Sequence, residues 1–228
     1  MANIEAFTGR ADAYTKARPG YPEEALKYIR TLAPFDAVIA DIGAGTGILT
    51  VLLAQYGFKV YAVEPNADMR EQLAISCKPY PNIEIVDGTA EATTLPDNCI
   101  DIITNAQALR RFDIALFRAE CIRISKSNPI VVTVFNGGTD VSTGYEEALG
   151  ALYNKPDVKK YPNPLMFSHE KWLLYHLSME GVPFEGEPGY DSYTAELIER
   201  YDRENVDGIL RINEMTYVYS EKLYKQIS

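Results

Sequence analysis

Short apolar runs alternate with amphipathic stretches along the first 135 residues, and that alternation predicts the fold class. Ala37–Ile42, Lys59–Val63, Ile83–Val86, Ile100–Thr104 and Ile130–Phe135 are apolar segments of strand length. Between them, apolar residues recur at helical spacing. Ile48, Leu49, Leu52, Leu53 and Tyr56 share one face of a helix over Thr46–Tyr56, which Gly57 ends. Ala67–Cys77 reads as a second such helix. A third runs from a cap at Asp113 to Arg123. Upstream, Glu5–Lys16 reads as a helix broken by Pro19, Gly20 and Pro22. Pro22 then suits the start of another helix over Glu23–Thr31, whose glutamates lie at its positive end. Strands alternating with helices predict right-handed crossovers and a parallel sheet, and near-continuous apolar strands predict helices on both of its faces.

The pattern changes after Asn136-Gly137-Gly138. Residues from about 140 to 180 read as irregular helix, interrupted by Pro156, Pro162 and Pro164 and crowded with tyrosines. We read 137–190 as a helical insertion over one edge of the sheet. Ser168 suits a cap for a helix containing Trp172, and Tyr193–Tyr201 reads as helix. Gly208–Ile212 and Met215–Ser220 read as a hairpin closing on Asn213-Glu214. The expectation is therefore an α/β fold: a Rossmann-like, doubly wound, seven-stranded and mostly parallel sheet with an antiparallel C-terminal hairpin. It is read as a single domain over 1–228, with N-terminal lid helices over 1–35.

Composition narrows the function. The chain has 228 residues, 46% of them hydrophobic, enough for one sizeable core. Its formal net charge of −10 opposes binding to nucleic acid or to acidic membranes, and the basic clusters, Arg110-Arg111 and Lys159-Lys160, are short. The start of the chain lacks the pattern of a secretory signal, and no apolar run is long enough to cross a membrane. A cytoplasmic protein with a small-molecule partner is the expectation. Three cysteines without regular spacing and two histidines argue for reduced, buried thiols rather than disulfides or a metal site.

Candidate chemistry concentrates in Asp41-Ile42-Gly43-Ala44-Gly45-Thr46-Gly47, between a strand and a helix. Glycines there allow a tight turn and close approach by a ligand, and the following helix start presents free N–H groups. Glu64 ends the next strand, where an acidic side chain can accept from both ribose hydroxyls of an adenosine. The G-x-G-x-G spacing differs from the G-x-G-x-x-G of pyrophosphate binders. Asp41 beside it suits a ligand bearing an ammonium group and repels a pyrophosphate.

These residues, followed by Val63-Glu64-Pro65-Asn66, resemble the first two motifs of class I S-adenosylmethionine-dependent methyltransferases. The resemblance extends through Asp87-Gly88-Thr89-Ala90-Glu91 with Leu95-Pro96-Asp97, and through Asp101–Thr104 with Asn105-Ala106-Gln107. Upstream, the run from Tyr14 through Arg18 to Pro22 is similar to the lid of the small-molecule, methyltransferase-11-like branch. The resemblance implies S-adenosylmethionine as cofactor and a small-molecule methyl acceptor. It implies Gly43, Ala44, Gly45 and Gly47 around the methionine moiety, with Asp41 near its ammonium. It further implies Glu64 on the ribose, and Pro65, Asn66 and Met69 flanking ribose and adenine. Gly88, Thr89 and Ala90 would meet the adenine edge, and Asn105, Ala106 and Gln107 would face the sulfonium. Arg18 would pair with the methionine carboxylate, with Tyr14 beside it.

Relatives in this branch often read Ala-Gln-Ala-Phe-His-Trp-Phe-Asp after the fourth strand. Here Leu109, Arg110 and Arg111 replace Phe, His and Trp, so the histidine that could act as a base is missing. No catalytic residue is assigned, and methyl transfer would run mainly on proximity and alignment. Arg110-Arg111 could instead bind an acidic substrate. The rival readings are a non-catalytic protein that binds S-adenosylmethionine or S-adenosylhomocysteine, and a nicotinamide-dependent oxidoreductase.

Overall fold

A computed structural model describes residues 4–138 and 143–224. Five strands run parallel: β1 (Val38–Ile42), β2 (Lys59–Val63), β3 (Ile83–Val86), β4 (Ile100–Ala106) and β5 (Ser125–Gly137). Two more, β6 (Asp157–Phe167) and β7 (Leu210–Lys222), complete one sheet in the order β3-β2-β1-β4-β5-β7-β6. β7 is antiparallel to both of its neighbours. The seven-stranded, mostly parallel sheet with an antiparallel end is the expected one. Its strand order reverses at β1, so the carboxyl ends of β1 and β4 diverge and leave the crevice where ligands of such sheets bind.

Helices cover both faces because adjacent strand residues point to opposite sides. Ile39, Val60, Ile102 and Val132 face α2 (Glu23–Thr31) and α3 (Ile48–Gln55), where Leu26, Ile29, Leu49 and Leu53 meet them. Ile103, Val131 and Phe135 face the other way, onto Phe117 and Cys121 of α5 (Ile114–Ile124) and Leu149 of α6 (Thr143–Leu152). α4 (Ala67–Cys77) packs Leu73 and Cys77 against Ala62. Asn66 and Asp113 accept backbone N–H bonds at the starts of α4 and α5, as N-caps do.

Three local expectations are corrected. Glu5–Lys16 is not one helix: a 3-10 turn (Ile4–Phe7) is followed by Gly9 at φ +77° and then α1 (Ala11–Ala17). The insertion is not purely helical, because Asp157–Phe167 is β6. Its inward positions Tyr161, Asn163, Leu165 and Phe167 alternate with exposed Lys160, Pro162, Pro164 and Met166. Proline is tolerated there because β6 is the sheet's edge. The antiparallel end is made of β6 and β7, not of the two halves of 208–220. β7 runs straight through Asn213-Glu214, whose partners on β6 are Pro164 and Asn163. The tight turn lies earlier, at Asp207-Gly208, both at positive φ, where Val206 and Ile209 exchange two backbone hydrogen bonds.

The N-terminal segment is fastened to α7 (His169–Leu177) by two arginines. Arg10 donates to the carbonyls of Leu177 and Val182 and stacks on Phe184; Arg18 donates to Ser178 Oγ at 2.8 Å. Ser168 caps α7, and Trp172 donates to Leu197 O of α8 (Tyr190–Glu204) at 2.9 Å. His176 is enclosed here by Trp172, Tyr175 and Tyr193, with Arg18 and Arg200 nearby, and its Nε2 has no hydrogen-bond partner among the described residues. Burial, aided by the two arginines, holds the ring down at about 4. The folded value lies below the unfolded one, so the unfolded chain binds more protons between them. Stability is then full above the unfolded value and is lost as pH falls towards about 4. His176→Phe should therefore gain thermal stability relative to the wild-type chain on acidification. A difference in melting temperature that does not change with pH would contradict this.

Candidate active site

The turn after β1 is held from both sides. Gly43 N and Ala44 N donate to Val63 O at the end of β2, at 2.9 and 3.0 Å. Gly45 N donates to Glu64 Oε2 at 2.8 Å, and Asn66 N donates to Glu64 Oε1 at 2.9 Å. Gly43, Gly45 and Gly47 all lie at positive φ, which side chains rarely adopt. A Cβ at Gly43 would meet Ala108 Cβ at 2.8 Å, and one at Gly47 would meet Leu73 at 2.7 Å. Gly45 has nothing near the place of its missing Cβ, so the turn is open to a ligand there.

In front of this turn lies a cavity of about 990 Å³. Of the residues singled out in the sequence, Tyr14, Gly43, Gly45, Glu64, Pro65, Met69, Thr89, Ala90, Ala106 and Gln107 line it together. Gln107 holds φ +58° at the end of β4 while its N–H donates to Val134 O and its amide to Asn136 O. A strained non-glycine backbone at this place is typical of a functional site.

The remaining predicted residues stand behind the wall. Asp41 is 1% exposed, and its carboxylate accepts from Thr50 Oγ1 (2.6 Å) and Thr104 Oγ1 (2.8 Å). Burial pushes that carboxyl up to about 6 against those two donors. Ala44 packs beside Leu73 and Cys77. Asn66 caps α4 and also donates to Ile4 O and Thr8 Oγ1, which ties down the start of the chain. Gly88 meets the backbone of Thr93 too closely for a side chain. Asn105 is fully buried and donates to Thr133 Oγ1 at 3.0 Å. Arg18 lies against Tyr14 and Tyr175 and bonds Ser178, so it does not reach the cavity wall. These residues position the wall instead of forming it.

Some wall residues carried no readable signal. Phe7 lies under the Arg111 guanidinium (4.6 Å), Phe112 packs on Gly43, and Glu180 pairs with Arg111 at 2.8 Å. Glu180 comes from a segment far away in sequence, so only folding brings it to the site. Neither histidine lines the cavity. Among the described residues no cluster of three or more His, Cys, Asp or Glu side chains could hold a metal, and no helix is long and apolar enough to cross a membrane.

Comparison with known proteins agrees with this geometry. Residues 40–133 match the methyltransferase-domain family. An uncharacterised methyltransferase of Mycobacterium tuberculosis is 32% identical over 150 residues, 66% of this chain and 59% of its own length. Over this stretch the chain is similar to methyltransferases, and it spans a little over half the length of that relative. Among solved structures, the YcgJ protein of Bacillus subtilis superposes with a TM-score of 0.59 at 16% identity, covering 90% of this chain and 100% of that one. Phosphoethanolamine N-methyltransferase 2 of Haemonchus contortus was solved with phosphomonomethylethanolamine and S-adenosylhomocysteine. It gives a TM-score of 0.56 at 15% identity, covering 98% of this chain and 60% of that one.

The wall fits S-adenosylmethionine, the cofactor that the sequence motifs imply. Gly45 leaves room at the turn, Glu64 presents a carboxylate beside it, and Met69 and Ala90 supply apolar surface for a base. The turn tolerates little change. Gly43→Ala should destabilise the fold by about 1–3 kcal/mol, since it combines positive φ with an overlap onto Ala108. Urea unfolding of the variant checks this; an unchanged midpoint would contradict it.

Proposed function

We propose that this methyltransferase moves a methyl group from S-adenosylmethionine to a small molecule held in the outer half of the same cavity. The observation that carries the reading is the Glu64 carboxylate. It faces the glycine turn and, among the described residues, is bonded to backbone N–H groups and not to a cation. Its free lone pairs suit two vicinal hydroxyls. Burial raises the Glu64 carboxyl, opposed by the Asn66 and Gly45 N–H groups and by Arg70 and Arg111.

Bound there, S-adenosylmethionine supplies an electrophilic methyl: the acceptor's lone pair forms the new bond to that carbon while the carbon–sulfur pair leaves with sulfur as a neutral thioether. The chain's own part is to bind, align and keep water out. Gln107, fixed by Val134 and Asn136, and Ala106 bound the wall at the end of β4. Phe7, Phe112 and Tyr14 give the outer half apolar walls that exclude water. No histidine is at hand to take a proton, so alignment is the main source of rate and an acceptor that needs no base is favoured. The acidic net charge and the form of the cavity both favour a small acceptor over nucleic acid.

Calorimetric titration tests the reading. S-adenosylhomocysteine should bind and NAD should not. Glu64→Ala should weaken S-adenosylhomocysteine about 30-fold, the loss of about 2 kcal/mol from charge-assisted hydrogen bonds. The affinity should also fall as pH drops through the raised Glu64 value, because a protonated carboxyl cannot accept from both hydroxyls. Equal affinity of the variant, or preference for NAD, would refute the assignment.

A further inference from the structure

The charged side chains of the cavity wall can be matched one by one with their partners. Glu64 accepts from Gly45 and Asn66. Glu91 accepts from Asp113 N at 2.9 Å, and Asp113 itself caps α5 through Ala115 N and Leu116 N. Glu180 bonds Arg111 at 2.8 Å, and Arg111 also lies over Phe7. That leaves Arg110, which is exposed to the cavity and makes no hydrogen bond or ion pair among the described residues. Glu180 feels the positive charge of both arginines but bonds only Arg111, so the arginine pair keeps an unmatched positive charge.

A second observation points to the same place. Tyr145 on α6 is 6% exposed, stacks on Phe135 with ring centroids 4.4 Å apart, and has a buried hydroxyl with no hydrogen-bond partner among the described residues. That hydroxyl lies within electrostatic reach of Arg110 and Arg111. A buried, unpaired O–H is unfavourable unless a ligand or water accepts from it. A free guanidinium on the cavity wall is what an oxyanion requires, and the unpaired phenol lies behind that wall within the field of the same arginines. The chain's net charge of −10 would otherwise repel such a ligand, so the positive charge acts only locally.

Resting on the methyltransferase reading above, we propose that the methyl acceptor carries an oxyanion, a carboxylate or a phosphate monoester, held by Arg110 with Tyr145 as a second donor. Arg110 is then a specificity-determining residue in the position where related sequences often place histidine. The positive charge at the acceptor's remote end selects and orients it, and takes no part in the bond changes.

The probes are benzoate, phenyl phosphate and neutral benzyl alcohol, each titrated calorimetrically into the protein saturated with S-adenosylhomocysteine. Wild type, Arg110→Met, Arg110→Lys and Tyr145→Phe are compared. At least one anion should bind wild type and benzyl alcohol should not. Arg110→Met should lose about tenfold or more in that affinity, Arg110→Lys should recover part of it, and Tyr145→Phe should lose several-fold. S-adenosylhomocysteine affinity should stay unchanged in the arginine variants. Benzoate alone binding supports a carboxylate acceptor; phenyl phosphate alone supports a phosphate. Anions that bind Arg110→Met as tightly as wild type, or that bind no protein, overturn the proposal and leave the cofactor site standing. It is also overturned if Arg110→Met weakens S-adenosylhomocysteine tenfold, since Arg110 then serves the cofactor's own carboxylate. Failure of S-adenosylhomocysteine to bind wild type refutes the cofactor reading itself, and the proposal with it.

Discussion

One buried carboxylate sets the geometry on which the site depends. Asp41, near the end of β1, accepts from Thr50 on α3 and Thr104 on β4. It therefore ties together the strand that enters the glycine turn, the helix that leaves it, and the neighbouring strand across the crevice. A charge so deeply buried is unfavourable by itself, which is why its carboxyl is pushed up to about 6. The two hydroxyl donors offset that penalty. With Asp41 occupied in this way, Glu64 is the acidic group beside the turn at the cavity surface, and it holds the turn through Gly45 N–H.

The N-terminal segment follows the same logic of distant segments packing on a fixed frame. Asn66 caps α4 and with the same amide reaches Ile4 and Thr8, while Arg10 and Arg18 fasten α1 to the end of α7. The outer wall of the cavity thus joins the start of the chain to the segment that follows α7. Arg111 completes the closure by pairing with Glu180, and it leaves its neighbour Arg110 free towards the cavity.

Much of the fold around the glycine turn was legible in the sequence. The apolar runs of β2 and β3 and the helices α2 and α4 fall at the expected residues, because buried parallel strands and one-sided helices leave strong periodic patterns. The glycine turn and Glu64 were legible because close backbone approach and a free carboxylate need those residue types. Arg18 is the instructive exception. Its motif suggested a ligand contact, yet Ser178 and two tyrosine rings engage it. A long side chain can reach several places, and its neighbours in space decide which.

The sequence by itself determined the alternation of strands and helices, the turn at Gly43–Gly47 and the carboxylate beside it, since each is set by local spacing and backbone freedom. Tertiary structure alone decided the rest. β6 carries prolines that read as breaks, and only its place at the sheet edge, paired along β7, makes it a strand. Asn213-Glu214 reads as a turn, yet pairing with β6 holds it extended. Glu180 and Phe7 meet Arg111 at one cavity although they lie far apart in the chain. Hydrogen bonding and charge pairing act over a few ångströms of space and leave no periodic trace along a sequence, so this part of the cavity wall becomes visible only when the chain is folded.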